Sequence, residues 1–334
     1  MRRLVWLGVV LAVLWSGWWF FAAQAIENGV SGWLADRRSE GWQADVAQTR
    51  VSGFPVSFDA TLTDPALADP QTGVAFTTSA LQFSAPAWSP TTVSVSIPSD
   101  ELVLSTPIAR YKATAKAAEA RLRLRAGTSA EVSELALQSG SWAISGPWGI
   151  LLGAAGIEMR MLQDAENHTL YAFNIDAPAF QPGDVPRRAL RLPADWPLAF
   201  DNLALDMSVR FDKPFDRRTI EEARPQPRRI DLRVAEAAWG KLLIRFAAEL
   251  DVSDAGIPTG DVAVQARNWQ SILEIAENAG VLPGAVRPQL ENILAALARG
   301  SGNPDAIDVT LALRNGTIFM GFIPLGPAPR LVIR

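Results

Sequence analysis

The sequence predicts a mostly β protein: an N-terminal transmembrane helix, a large curved antiparallel β-sheet (trough or sandwich), and a C-terminal helical hairpin packed on that sheet. Three observations predict this fold class. Residues 4–23 carry no charged side chain, segments after residue 51 alternate apolar and polar residues, and two late segments place apolar residues three and four apart. A period of two indicates half-buried strands, whereas spacings of three and four indicate helices.

The apolar run of residues 4–23 predicts a membrane anchor over residues 1–25. About 20 helical residues span the roughly 30 Å of a bilayer's hydrocarbon core. Arg2 and Arg3 precede the run, and the positive-inside bias therefore keeps the N-terminus in the cytoplasm and exports the rest of the chain. Trp18 and Trp19 are candidate lipid contacts, because aromatic side chains at the end of a span favour the lipid–water boundary.

A cleaved signal peptide is the alternative to an anchor. Ala23-Gln24-Ala25 has the small-residue pattern of a cleavage site. The apolar run is longer than the 7–15 residues typical of a signal sequence, which favours the anchor. Both alternatives deliver the remaining chain to the same compartment.

Residues 26–41 predict an amphipathic stalk that continues the membrane helix outward. Ile26, Val30, Trp33 and Leu34 share one helical face at spacings of three and four. Gly41 is the expected end of this helix.

Residues 42–334 predict one exported β-rich domain. Phe58, Ala60 and Leu62 alternate with polar residues, as do the apolar residues of segments 203–211, 242–252 and 307–313. Such alternation is typical of antiparallel strands with one solvated face. Asn315-Gly316 predicts a tight hairpin between Ile307–Arg314 and Thr317–Ile323. The polar stretch 214–229 predicts a short helix or loop that divides the strands into two sets within one domain.

Residues 268–300 predict the helical hairpin. Asn268 is the expected N-cap of its first helix and Gly280 the expected end. Pro288 is suited to the first turn of the second helix, whose Ile293 is expected to be buried.

Composition excludes several functional classes. The net charge is −4, which disfavours nucleic acid as a partner. The chain has no cysteine and one histidine, His168, so thiol chemistry is absent and a histidine-rich metal site is disfavoured. No nucleophile motif, zinc-protease motif or phosphate-binding glycine loop is present. We therefore expect no catalytic residue, no cofactor and no metal, and interpret the protein as a non-enzyme.

The predicted strands carry more apolar surface than two helices can cover. About a dozen strands at roughly 4.8 Å spacing form a sheet on the order of 55 Å wide, whereas two helices cover about 20 Å of it. The sheet must then either fold onto itself as a sandwich or curl into an open trough. An open trough loses roughly 2.5 kcal/mol per 100 Å² unless apolar cargo fills it.

A second candidate contact with membrane or lipid lies in residues 146–156, which form the most apolar stretch outside the anchor. Trp148, Ile150 and Leu151 are its candidate contacts, and a buried turn beside a strand is the alternative. A basic cluster around Arg217, Arg218 and Arg224 could meet anionic headgroups, although its acidic neighbours Glu221 and Glu222 favour an ordinary solvated loop.

Two short motifs carry a family resemblance. Residues 51–55 form a V-x-G-F-P opening to the first long strand, and the chain closes with Arg314-Asn315-Gly316 followed by GFIPLGPAP at 321–329. These motifs resemble AsmA-like envelope proteins and, within that superfamily, the alphaproteobacterial envelope family called domain of unknown function 2125. The resemblance implies a long antiparallel sheet rolled into a trough, and larger members are implicated in phospholipid movement between membranes. It implies no catalytic residue.

Together these observations favour a single-pass protein of the bacterial inner membrane with its bulk in the periplasm. We expect it to bind or shield apolar cargo, with phospholipid the expected ligand, in cell-envelope maintenance. The expected partner is the inner membrane through the N-terminal helix, and protein partners are left open. The alternative is a non-catalytic scaffold that docks partner proteins through exposed strand edges.

Overall fold

The fold was analysed in a computed structural model that describes residues 2–127, 129–216, 219, 224–300 and 303–333. The chain divides into two compact units. Unit 1 comprises Met1–Leu124 and Ile144–Pro147, and unit 2 comprises Arg125–Ala143 and Trp148–Arg334. The predicted division into an anchor (1–25), a stalk (26–41) and a single β domain (42–334) stays a prediction.

Unit 1 begins with a single continuous helix, α1 (Arg2–Ser39). This helix is long and apolar enough to cross a membrane. The side chains of Leu4, Leu11 and Leu14 are 58–72% exposed, so the first half of α1 presents an apolar surface to its surroundings. The second half of α1 packs against the strands that follow it.

The strands of unit 1 form two antiparallel sets. Their bounds are β1 (Gln43–Asp45), β2 (Gln48–Ser52), β3 (Ser57–Thr63), β4 (Ala66–Asp69), β5 (Val74–Thr77), β6 (Ala80–Pro86), β7 (Thr92–Ser96), β8 (Glu101–Ser105), β9 (Arg110–Ala115) and β10 (Glu119–Leu124). One set has the order β2-β3-β6-β7-β10, and the other has the order β1-β4-β5-β8-β9. Within β3 the side chains of Phe58 and Ala60 are buried, as the alternation predicts.

Unit 2 is dominated by a long antiparallel sheet. Its elements, with β12 divided between the units, are β11 (Val132–Ser139), β12 (Trp142–Gly146), β13 (Gly149–Ala154), β14 (Ile157–Gln163), β15 (Leu170–Asp176), β16 (Gln181–Pro182), α2 (Asp184–Ala189), β17 (Asn202–Phe211), β18 (Pro227–Trp239), β19 (Leu242–Val252), β20 (Pro258–Arg267), α3 (Trp269–Asn278), α4 (Arg287–Gly300), β21 (Ala306–Arg314), β22 (Thr317–Met320) and β23 (Ile323–Pro327). The sheet has the order β11-β14-β15-β17-β18-β19-β20-β21-β22-β23, and β13 pairs with β16.

The polar stretch 214–229 does not separate two sets of strands. β17 ends before this stretch and β18 begins within it at Pro227, and the two strands pair directly in antiparallel register from Asn202↔Ala238 onward. The Asn315-Gly316 hairpin is confirmed, because β21 pairs with β22 around it and both turn residues have positive φ angles, +51° and +75°. These values suit a type I′ turn, whose twist matches that of the strands.

The late helical hairpin, α3 and α4, packs on the β20–β21 region of the sheet. Its core holds Trp269, Leu273 and Ala298 against Ala266 and Ile307. This core covers one end of the sheet's apolar face.

One detail of the predicted hairpin is confirmed in position and another is wrong. Asn268 is the N-cap residue of α3, as predicted, but it makes no side-chain cap hydrogen bond; its Nδ2 donates to the carbonyl of Lys241 instead. That bond holds the start of α3 to the β18–β19 turn. Ile293 is 49% exposed, because Leu290 and Leu294 are the residues that α4 turns toward the core.

One face of the unit 2 sheet carries paired charged side chains. On this face Arg233 forms an ion pair with Asp206, and Arg229 lies within 3.4 Å of Asp251. The Arg233 hydrogen bond lowers the pKa of Asp206. This face is therefore the solvated one that the alternation predicts.

Candidate functional site: an apolar cavity beneath the N-terminal helix

The second half of α1 builds one wall of a cavity in unit 1. The residues of α1 that line it are Ile26, Gly29, Val30, Trp33 and Leu34. Each lies three or four residues from another member of the set, which places all five on one helical face. This is the apolar face that the sequence predicts for the stalk, with Gly29 added. It is turned toward the unit 1 sheet, although Trp33 remains 48% exposed.

The sheet supplies the opposite wall. The cross-strand pairs Ala60↔Phe83 and Leu62↔Leu81 join β3 to β6. Paired residues of neighbouring strands point to the same face. All four side chains therefore face α1, together with Val93 of β7.

The cavity has a volume of about 640 Å³. Small-molecule sites typically enclose about 300–1,000 Å³ and are lined mainly by apolar side chains. Leu62, Leu81, Phe83 and Val93 are each only half-buried, which leaves apolar surface available to an occupant. The remaining lining residues are Asp45, Val46, Phe58, Pro65, Leu67, Phe76, Ser84, Ala85 and Pro90.

Polar groups at the cavity wall already have partners. Asp45 lies 3.2 Å from the Arg38 guanidinium, and the Ser84 hydroxyl donates to Asp59 Oδ1 at 2.5 Å. Among the residues that line the cavity in the described structure, Asp45 is the one ionisable group. The cavity is therefore suited to apolar groups.

An aromatic cluster packs α1 onto the sheet beside the end of the cavity nearest the apolar half of α1. Trp19 is 4% exposed, stacks on Phe58 with ring centroids 5.5 Å apart, and donates its Nε1–H to the Ser57 carbonyl at 2.9 Å. Ala23 and Ala87 complete this cluster. The cavity begins at Ile26, less than one helical turn beyond Ala23.

The candidate lipid contacts from the sequence lie in different units and in different environments. In unit 1, Trp18 is 42% exposed, whereas the packing just described encloses Trp19 and leaves its ring almost no exposed surface. In unit 2, Trp148 is 61% exposed and Ile150 is 43% exposed, and Leu151 is half-buried within β13. Their contact with lipid stays a prediction.

Other sequence features lie outside the cavity. His168 lies in the turn between β14 and β15, with its Nδ1 2.9 Å from a Glu131 carboxylate oxygen. Arg217, Arg218, Glu221 and Glu222 of the basic cluster and its acidic neighbours lie outside the described residues. Within the described part of the chain, no cluster of three or more histidine and acidic residues could hold a metal ion.

Unit 2 has an apolar row of its own, and the register of its strands defines it. The row runs through the following half-buried or partly exposed residues: Leu137, Met159, Ile175, Leu205, Ala235, Phe246, Val264 and Val309. Phe246 remains 39% exposed near its centre. The helical hairpin packs on the Val309 end of the row, so its cover is partial.

The fold and the cavity define a class: a β protein with an N-terminal helix suited to cross a membrane and an apolar cavity beneath that helix. The family within this class follows from sequence comparison. Residues 19–329 match the model of the family described as "Uncharacterized protein conserved in bacteria (DUF2125)". The chain belongs to this family, and the match begins within the apolar run and includes every residue of the cavity. No curated protein matches the chain.

Proposed function

We propose that the protein is a single-pass inner-membrane protein that binds the acyl chains of lipid in the cavity beneath α1, in the service of cell-envelope maintenance. In this proposal the N-terminus is cytoplasmic, the first half of α1 spans the membrane, and the rest of unit 1 and all of unit 2 are periplasmic. It places the protein among AsmA-like envelope proteins of alphaproteobacteria, and it assigns no catalytic activity to the chain.

The observation that carries the proposal is the position of the cavity. It opens along the same helix whose first half is long and apolar enough to span a membrane, and it begins at Ile26, just beyond the apolar run. An acyl chain leaving the bilayer beside α1 therefore meets an apolar surface without first crossing water. The single ionisable lining residue described, Asp45, disfavours an anionic headgroup inside the cavity.

Energetics favour exchange over permanent capture. Transfer of about ten CH₂ groups from water into the cavity is worth roughly 8 kcal/mol. The same groups are already shielded in the bilayer, so moving them from membrane to cavity changes the hydrophobic free energy little. A lipid should therefore enter and leave, as a shielding or transfer function requires.

Native mass spectrometry of the full-length protein, released from detergent micelles in the gas phase, tests the proposal. We expect adducts with masses of phospholipids, and competition by a fluorescent fatty acid added before the measurement. Protein that carries no lipid and binds no fluorescent fatty acid would contradict lipid binding. The membrane anchor is tested separately, by extraction of native membranes at alkaline pH.

A second candidate function, protein docking, is favoured by one observation at the C-terminal edge of unit 2. Phe322 is fully exposed, and Ile323 and Leu325 of β23 are 58% and 52% exposed. Pro324 and Pro327 lack the N–H groups that an added strand would need, so docking here would use side chains. Crosslinks from this edge to specific envelope proteins, in protein that carries no lipid, would favour this alternative.

A further inference from the structure

Two neighbouring turns project from one end of the unit 1 sheet. Residues 53–56 connect β2 to β3, and residues 87–91 connect β6 to β7. The pair Ser57↔Pro86 places the turns side by side. The Ala87 N–H donates to the Val56 carbonyl at 2.9 Å and joins them.

The tips of both turns carry large apolar side chains that the protein leaves uncovered. Phe54 is 48% exposed, Val56 is 56% exposed and Trp88 is 70% exposed. Scattered exposed apolar residues are ordinary, but three on two adjoining turns form a patch. A patch of this kind marks a contact with membrane or protein.

The membrane helix passes directly beside the first turn. Phe54 stacks on Phe20 with ring centroids 5.6 Å apart, and Trp15 Nε1 donates to the Pro55 carbonyl at 3.0 Å. Both helix residues belong to the uncharged run 4–23. Trp15 lies eight residues before Ala23, or about 12 Å along the helix axis. If α1 spans a membrane, the first turn therefore lies at the depth of the apolar run and not above it.

The backbone of this turn is suited to such a depth. A polar backbone group away from water must be paired within the protein. The Gly53 carbonyl accepts from the N–H groups of Val56 and Ser57, and Pro55 has no N–H to satisfy. The Nε1–H groups of Trp15 and Trp19 donate to the carbonyls of Pro55 and Ser57, respectively.

Gly53 makes this geometry possible. Its φ angle is +100°, a conformation that side chains rarely adopt, and an added Cβ would lie 2.3 Å from the Ser57 hydroxyl oxygen. The glycine of the V-x-G-F-P opening is thus a requirement of the turn. The following phenylalanine and proline form its tip.

We propose that the turns at 53–56 and 87–91 are a second membrane contact, which inserts Phe54, Val56 and Trp88 into the outer leaflet of the bilayer that α1 spans. The inference rests on the anchor assigned under the proposed function. Insertion of the two turns fixes this end of the unit 1 sheet in the lipid, so the adjacent cavity faces the membrane at a constant height.

Depth-dependent fluorescence quenching tests this contact, and the absence of native cysteine makes it simple. Single cysteines are introduced as Phe54→Cys and Trp88→Cys in the full-length chain and labelled with an environment-sensitive fluorophore. Each variant is reconstituted in phosphatidylethanolamine–phosphatidylglycerol vesicles that carry a spin label high on the acyl chain. Leu11→Cys, within the apolar run, reports the span. Ile108→Cys is the matched control, because Ile108 is 85% exposed in the β8–β9 turn. This turn adjoins the β4–β5 turn at 70–73, at the ends of the unit 1 strands far from the turns at 53–56 and 87–91.

We expect loss of most of the fluorescence at positions 54 and 88 and no loss at 108. Because Phe54 packs on Phe20, Trp88→Cys provides the measurement that does not depend on that packing. Quenching at 11 without quenching at both turn positions would overturn the second contact and leave the anchor intact. Absence of quenching at 11 would overturn the anchor, and with it this inference.

Discussion

Replacement of Gly29 by leucine is expected to weaken lipid binding roughly 200-fold. Gly29 lines the cavity on α1, and an added Cβ there meets no other atom within 4 Å. A Cβ therefore has room there, and we expect the leucine side chain to occupy part of the cavity and displace about four CH₂ groups of the occupant, at about 0.8 kcal/mol each. Displacement of a fluorescent fatty acid from the full-length protein measures the change.

Gly32→Leu is the matched control for this substitution. Gly32 lies three residues further along the same helix, is exposed, does not line the cavity, and also leaves open space for a Cβ. Both substitutions raise the helix propensity by a similar amount, about 1 kcal/mol. Equal lipid binding by the two variants would contradict the assignment of the cavity as the lipid site.

Truncation of Trp19 to alanine is expected to destabilise unit 1 by about 3–5 kcal/mol. The ring is buried between α1 and the sheet, where it stacks on Phe58 and hydrogen-bonds the Ser57 carbonyl. A thermal scan of the detergent-solubilised protein should show the unfolding midpoint lowered by roughly 10 °C.

Two variants separate the contributions at this position. Trp19→Phe keeps the stacked ring and removes only the hydrogen bond, so it should cost about 1 kcal/mol. Phe21→Ala removes an aromatic ring that is 75% exposed and should leave the midpoint nearly unchanged. If Trp19→Ala shifts the midpoint no more than Phe21→Ala does, α1 is not docked on the sheet through Trp19.

Local periodicity predicted the elements of this fold well. The alternation of Phe58, Ala60 and Leu62 placed them on one face of a strand, and the spacing of Ile26, Val30 and Trp33 placed them on one face of a helix. A period of two or of 3.6 is a property of a short segment, so the sequence alone can reveal it. The mostly β fold, the Asn315-Gly316 hairpin and the late helices were predicted on this basis.

The cavity itself was not predicted, because it depends on which elements meet. From local patterns alone, α3 and α4 are the available cover for the sheets and the stalk is a separate extension of the membrane helix. In the structure α1 covers the face of β3, β6 and β7, and it leaves a space where Gly29 has no side chain. Trp19 was likewise predicted as a lipid contact from its position at the end of the span. Its burial depends on Phe58, a residue 39 positions away that no local pattern could pair with it.

Photocrosslinking in native membranes tests the central claim most directly. A benzophenone-bearing phenylalanine analogue is introduced at Phe83, on the cavity wall, and in a second variant at Ile108, on the exposed β8–β9 turn. After irradiation, mass spectrometry of the purified full-length protein identifies what each position has captured. The account predicts phospholipid adducts at position 83 and none at position 108. Adducts at position 83 that consist only of this chain's own peptides, with no lipid, would contradict it.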